Sequence, residues 1–219
     1  MADMASFREA VTAWVAGGPG DLARDLAAQL PVRAAVLLEG PSDAAAINAL
    51  AAGRGRDLAA EGVCVLPMGG AMNVGRYARL LGPPGLGLRL TGLCDEAERR
   101  YYARALEHTQ ATQQAVQAPQ QAVQSTQQTF FVCAADLEDE LIRALGVTRV
   151  EELVRAEGDL RALQTFLRQP AQQDRTPQQQ LRRFLGTKKG RKIRYGRLLI
   201  EALDPHHTPA PLDHLLISL

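Results

Sequence analysis

Residues 34–43, AAVLLEGPSD, constrain the fold of this 219-residue chain more than any other stretch. Val36, Leu37 and Leu38 run apolar without alternation, which suits a parallel strand covered on both faces. The run stops at Glu39-Gly40-Pro41, and Ser42-Asp43 opens a helix. Open α/β sheets bind ligands at the carboxyl ends of their strands, so Glu39 and Asp43 can converge there on a hard divalent cation. The same residues also fit a plainer reading, an Asp43 that only favours the helix N-terminus and a Glu39 in solvent.

The pattern then repeats as strand 34–38, helix 42–53, strand 63–66, helix 73–81, strand 88–94, a helix from 96, strand 129–133 and helix 137–145. Four strand–helix units in series specify an α/β fold with a parallel four-stranded sheet flanked by helices. Ahead of it, Phe7, Val11, Trp14 and Val15, then Leu22, Leu26 and Leu30, mark two amphipathic helices. After Leu145 the spacing predicts helices over 149–157, 159–167, 177–185 and 191–203. The chain is thereby divided into an N-terminal helical brace (1–31), an α/β core (32–146) carrying an uncharged Gln-rich insertion (109–129), a basic helical subdomain (147–203) and a tail (204–219).

No run of 18 apolar residues exists and the N-terminus lacks a basic-then-apolar leader, so the expectation is a cytoplasmic protein without a membrane span. Cys64, Cys94 and Cys133 each adjoin an apolar run, as buried reduced thiols do. The net charge is only +1, yet nine Lys or Arg and no acid fall between Arg175 and Arg197. Such segregation faces a polyanion, or else forms a solvated helical face. Arg182, Arg183, Lys188, Lys189, Arg191 and Arg194 are the candidate nucleic-acid contacts.

Other strand ends are acidic too. The third delivers Asp95, with Glu98 behind it, and the fourth delivers Asp136 and Glu138. Parallel strands aim their carboxyl ends alike, so Glu39, Asp95 and Asp136 should share one rim. Carboxylates packed so closely repel unless neutralised, and two Mg²⁺ or Mn²⁺ ions about 4 Å apart could do this while clamping a phosphodiester. After the second strand, Gly69-Gly70 lets the backbone approach a phosphate, and Asn73 is placed to cap the next helix. His206, His207 and His214 lack ligand spacing, and Ser42 reads as a helix cap.

Together LLEGPSD, PMGGAMNVGR, GLCDEAE, ADLEDEL and GRKIRYGRLLIEAL resemble the TOPRIM fold, and within it the nuclease domain of the overcoming-lysogenization-defect (OLD) family of ATP-dependent endonucleases. The resemblance implies Glu39, Asp43 and Asp95 as ligands of one metal, Asp136 and Glu138 as those of a second, and Lys192 as the lysine that stabilises charge on the phosphate. TOPRIM proteins often carry Asp-x-Asp at the third strand, whereas Leu93 stands two residues before Asp95, so an acid is missing or is replaced in space by Glu98. Family members carry an ATPase domain ahead of this one; only about 33 residues precede the first strand here, so any ATP dependence needs a separate ATPase protein. The resemblance and the apolar faces of the first two helices together point to a homodimer. The leading expectation is a metal-dependent nuclease acting on DNA. The alternatives are a non-catalytic module that binds nucleic acid or an ATPase, and a TOPRIM ribonuclease or primase-like enzyme.

Overall fold

The computed structural model describes residues 2–83, 85–116 and 129–219. Strands β1 (Ala34–Leu38), β2 (Val63–Pro67), β3 (Arg89–Asp95) and β4 (Thr129–Cys133) form one parallel sheet in the order β2-β1-β3-β4. The unbroken apolar run is thus a central strand, and all five of its residues are fully buried.

Strand alternation sends side chains into two separate cores. Ala34, Val36 and Leu38 enter one with Val63, Val65, Leu93 and Cys133; Ala35 and Leu37 enter the other with Cys64, Leu66, Leu90 and Cys94. The first core is closed by α3 (Pro41–Gly53), α6 (Leu137–Leu145), α7 (Val147–Ala156), α8 (Leu160–Leu167), α9 (Pro177–Gly186), α10 (Lys189–Glu201) and α11 (Ala210–Ser218). The second is closed by α1 (Met4–Val15), α2 (Asp21–Gln29), α4 (Val74–Leu81) and α5 (Arg99–Val116). Phe7, Ala10 and Val11 of α1 and Ala23 and Leu26 of α2 are buried in this second core. Most of the apolar faces that suggested a homodimer therefore pack within the chain, while Leu22 is exposed.

Pairing along β3 shapes the edge where ligands would bind. β3 pairs with β1 only as far as Gly92, opposite Leu37, and then continues beside β4 to Asp95. β1 and β3 therefore part company before their carboxyl ends, and a crevice opens between Glu39 and Asp95.

Some boundaries differ from the periodicity. Single 3₁₀ turns, Ala71–Asn73 and Glu96–Glu98, precede α4 and α5. The basic helix starts before the expected residue 191: Lys188 is the extended N-cap of α10 and Lys189 its first residue, with Lys192 N–H closing onto the Lys188 carbonyl at 2.9 Å. The Lys189 side chain lies outside what is described, as does the Gln-rich stretch between Val116 and Thr129. All three cysteines are buried and unpaired. Among the described residues no helix is long and apolar enough to cross a membrane.

Candidate metal centre at the carboxyl edge of the sheet

Glu39 is fixed from two sides. On one, Gly40 is extended and Pro41 starts α3, while Asp43 Oδ2 accepts the Gly40 N–H at 2.8 Å, the reciprocal half of a capping box. Ser42 is not the cap, because the helix starts one residue before it; its hydroxyl donates to Asp43 Oδ1 at 3.2 Å. On the other side the turn after β2 folds across β1, with Met68 N–H on the Leu38 carbonyl at 2.8 Å and Gly70 N–H on the Glu39 carbonyl at 3.0 Å. Gly69 and Gly70 hold φ of +73° and +125°, which other residues adopt with strain. The Gly70 amide is therefore spent on Glu39 rather than offered to a phosphate. Asn73 does not cap α4 with its side chain, which donates to the Met68 carbonyl at 2.9 Å and braces the same turn.

β3 delivers Asp95, and the following 3₁₀ turn brings Glu98 back toward it. One carboxylate oxygen from each of Glu39, Asp95 and Glu98 lies within 4.8 Å of the other two. Leu93 is buried in the core, so the third acid in space is Glu98.

The carboxylates beyond β4 are differently engaged. Asp136 caps α6, its Oδ1 accepting Asp139 N–H at 2.8 Å, and its Oδ2 accepts from Arg182 Nε at 2.6 Å. Glu138, 3% exposed, faces Lys192 Nζ at 3.4 Å. The pair expected to hold a second cation is thus already met by two side-chain cations.

Several basic residues expected to face nucleic acid are occupied inside the protein. Arg191 lies over the Phe184 ring and donates to Thr187 Oγ1 at 2.7 Å, and Arg194 pairs with Asp159 and Glu157. Arg183 and Lys188 are exposed. His206 and His207 lie in an exposed 3₁₀ turn, and His214 rests beside Phe131.

Electrostatics within the rim are strained in the way a cation relieves. Burial, followed by the charges of Glu39, Asp136, Asp43 and Glu98, pushes Asp95 up to about 7. Glu138 also rises to about 7, chiefly through burial, which Lys192 only partly offsets. Burial and then Glu98 raise Glu39; burial raises Asp43 against its bond to Gly40. Burial pulls Lys192 down, but Glu138, Asp43 and Glu39 together hold it above its ordinary value, so it stays charged. Two buried carboxylate oxygens, Glu98 Oε2 and Glu138 Oε1, have no hydrogen-bond partner among the described residues. The orphaned Glu98 Oε2 beside mutually repelling acids fits a hard cation on oxygen ligands.

A pH dependence follows for the metal-free protein. Asp95 and Glu138 bind protons more tightly when folded than when unfolded, so the stability they contribute is complete below about pH 4 and lost as pH rises through about 7. In EDTA this contribution should lower the thermal midpoint between pH 5 and pH 8, and Mn²⁺ should raise the midpoint more at pH 8 than at pH 5. Calorimetry giving equal Mn²⁺ shifts at both values would count against a cation on this rim.

Two positioning features escape a reading of sequence patterns. Gly196 lies where α10 crosses the start of α3, and a Cβ there would stand 2.7 Å from the Ser42 carbonyl oxygen. This close crossing holds Lys192, one turn earlier on the same helix face, near Glu138 and Asp43. A glycine inside a helix, which weakens it by about 1 kcal/mol relative to Ala, was the available signal. The Arg182–Asp136 contact spans 46 residues and leaves no local signature.

Residues 32–96 match the family model described as "Overcoming lysogenization defect protein-like, TOPRIM domain". Among solved structures, the C-terminal region of the Xanthomonas campestris pv. campestris OLD protein aligns over 85% of this chain and 93% of its own, with 26% identity and a TM-score of 0.62. The C-terminal region of the Burkholderia pseudomallei OLD protein aligns over 85% of this chain and 98% of its own, with a TM-score of 0.58; at 20% identity that likeness is one of fold. No curated protein sequence matches significantly. The strand-end acids and the folded chain together identify an OLD-like TOPRIM domain within a chain that resembles the C-terminal region of OLD proteins.

Proposed function

We propose that this chain is a metal-dependent nuclease that hydrolyses phosphodiester bonds, with DNA favoured as substrate on the family resemblance. The observation that carries this reading is the approach of Glu39, Asp95 and Glu98 oxygens to within 4.8 Å of one another, beside a protonated lysine on a packed helix. These three carboxylates would hold a divalent cation, Mg²⁺ or Mn²⁺, which when bound supplies Lewis-acid polarisation and a more acidic water. Asp43 keeps the Gly40 turn closed and so orients Glu39. The N-terminus of α3 favours an anion at the same edge. Arg182 and Lys192 neutralise Asp136 and Glu138 from within, which favours a single cation over the pair expected from the sequence.

Lys192 is placed to balance charge that develops on the reacting phosphate. Tyr195, Leu199 and Ile200 bury α10 and hold the lysine without mobile loops. Lys192→Ala is expected to lower kcat by about 10²-fold with little change in binding. Lys188→Ala combined with Lys189→Ala, at the start of α10, should instead weaken binding and flatten its salt dependence. Equal losses of kcat in the two variants, at saturating substrate, would make all three lysines one undifferentiated patch.

One observation favours the second reading, a non-catalytic module that binds nucleic acid or an ATPase. Leu93 occupies a position where an acid is common, and Asp43 and Asp136 are committed to helix caps. Incubating the pure protein with supercoiled plasmid, single-stranded DNA and structured RNA, each with Mg²⁺, Mn²⁺ or EDTA, separates these readings. Cleavage dependent on cation supports the nuclease, RNA-only cleavage the ribonuclease alternative, and binding without cleavage the module.

A further inference from the structure

Next to Asp136 the acidic rim gives way to a cleft of about 490 Å³, lined by Arg175, Gln179, Arg182, Arg183 and Phe166, with Asp136 itself in its wall. We propose that this cleft binds the backbone phosphate adjoining the one that is cleaved, so that a nucleic-acid strand runs from the β1–β3 crevice past the end of β4. The inference rests on the nuclease reading and gives the bound strand a path.

The donors in the cleft outnumber what the protein itself can satisfy. Arg175 uses Nε on the Ala171 carbonyl at 3.0 Å, which leaves its terminal nitrogens. Arg183 is exposed and forms no ion pair among the described residues. Gln179 spends its amide oxygen on Thr176 N–H at 3.1 Å and keeps its NH₂. Arg182 anchors Nε on Asp136 and retains its other N–H groups. Three guanidiniums therefore face a single carboxylate, and planar forks of this kind match phosphate oxygens.

Arg182 joins the cleft to the rim. It touches Asp136, which both caps α6 and lines the cleft, so an anion in the cleft sits beside the Asp136 end of the rim. Phe166 contributes an apolar wall, which a sugar or base can cover and an inorganic ion cannot. A polynucleotide satisfies both features at once.

The test compares wild type with Arg175→Gln/Arg183→Gln, two side chains that do not touch the carboxylates. Binding of a fluorescent single-stranded DNA oligonucleotide in Ca²⁺ should weaken about tenfold in the variant, and the slope of log affinity against log salt should fall by roughly 0.7 for each phosphate that the variant no longer neutralises. Cleavage is then followed on oligonucleotides carrying one neutral methylphosphonate at successive positions. Wild type should slow when the neutral linkage adjoins the cleaved bond on one side, and the double variant should not respond at that position.

Unchanged affinity and slope in the variant would overturn the proposal, as would an equal response of both proteins to the neutral linkage. Displacement of the oligonucleotide by polyglutamate as readily as by unlabelled DNA would assign the cleft to an acidic protein instead. If neither protein cleaves but the variant binds more weakly with a shallower slope, the cleft stands as a phosphate site and the nuclease reading falls.

Discussion

Asp95→Asn is expected to cut cleavage by at least about 10³-fold and, in EDTA at pH 8, to raise the thermal midpoint of the protein. The two effects have one cause. Asp95 is partly desolvated at this edge, and Glu39, Asp136, Asp43 and Glu98 add their charges, which is why its carboxyl rises to about 7. At pH 8 without metal the folded chain must carry that charge, and Asn removes it. With a cation present the same oxygen is a ligand, and a loss of several kcal/mol of binding at the reacting centre corresponds to the stated loss in rate. Measuring kcat in Mn²⁺ alongside calorimetry in EDTA checks both halves. A variant that melts lower than wild type in EDTA would mean that Asp95 supports the fold instead of opposing it.

Gly92→Ala should destabilise the chain by at least about 3 kcal/mol, at the upper end of what overpacking costs, and lower the thermal midpoint by about 6–12 °C. Gly92 is the last β3 residue paired with β1, and a Cβ there would run into the Leu37 backbone oxygen. The obstacle is main chain in the middle of the sheet, not the movable end of a side chain, so relief requires the strands to separate. Residual activity per folded molecule should drop as well, because Asp95 lies three residues further along the same strand. Denaturant unfolding at matched pH measures the change; a loss below about 1 kcal/mol would show that the strands yield at little cost.

Much of this architecture was legible because central strands and their ends carry dense local information. The run 34–38 had no polar residue to place in water, which fixed a doubly covered strand, and Glu39, Asp95 and Asp136 at or beyond the ends of β1, β3 and β4 marked one edge as acidic. Glu98 could be suspected from the gap at Leu93. What stayed hidden depends on contacts through space. The spacing of Asp43 from Glu39 fits a ligand and a cap equally, and only the hydrogen bond to Gly40 distinguishes them. Arg182 and Arg194 share one basic stretch, yet one meets Asp136 at the rim and the other is tied to Asp159. Gly69-Gly70 resembles a phosphate loop until its amide is traced to the Glu39 carbonyl.

The two cores on opposite faces of the sheet divide tolerance to change unevenly. The helices that carry rim side chains, α3, α6, α9 and α10, all pack on the face of Val36, Leu38 and Leu185. The face of Phe7, Tyr77 and Leu81 meets the carboxylates through the strands, the Met68–Gly70 turn and the 3₁₀ turn at Glu98. That second layer is where an engineer, or drift over generations, has room to repack volume for heat resistance or for a new docking surface while the acidic edge keeps its shape.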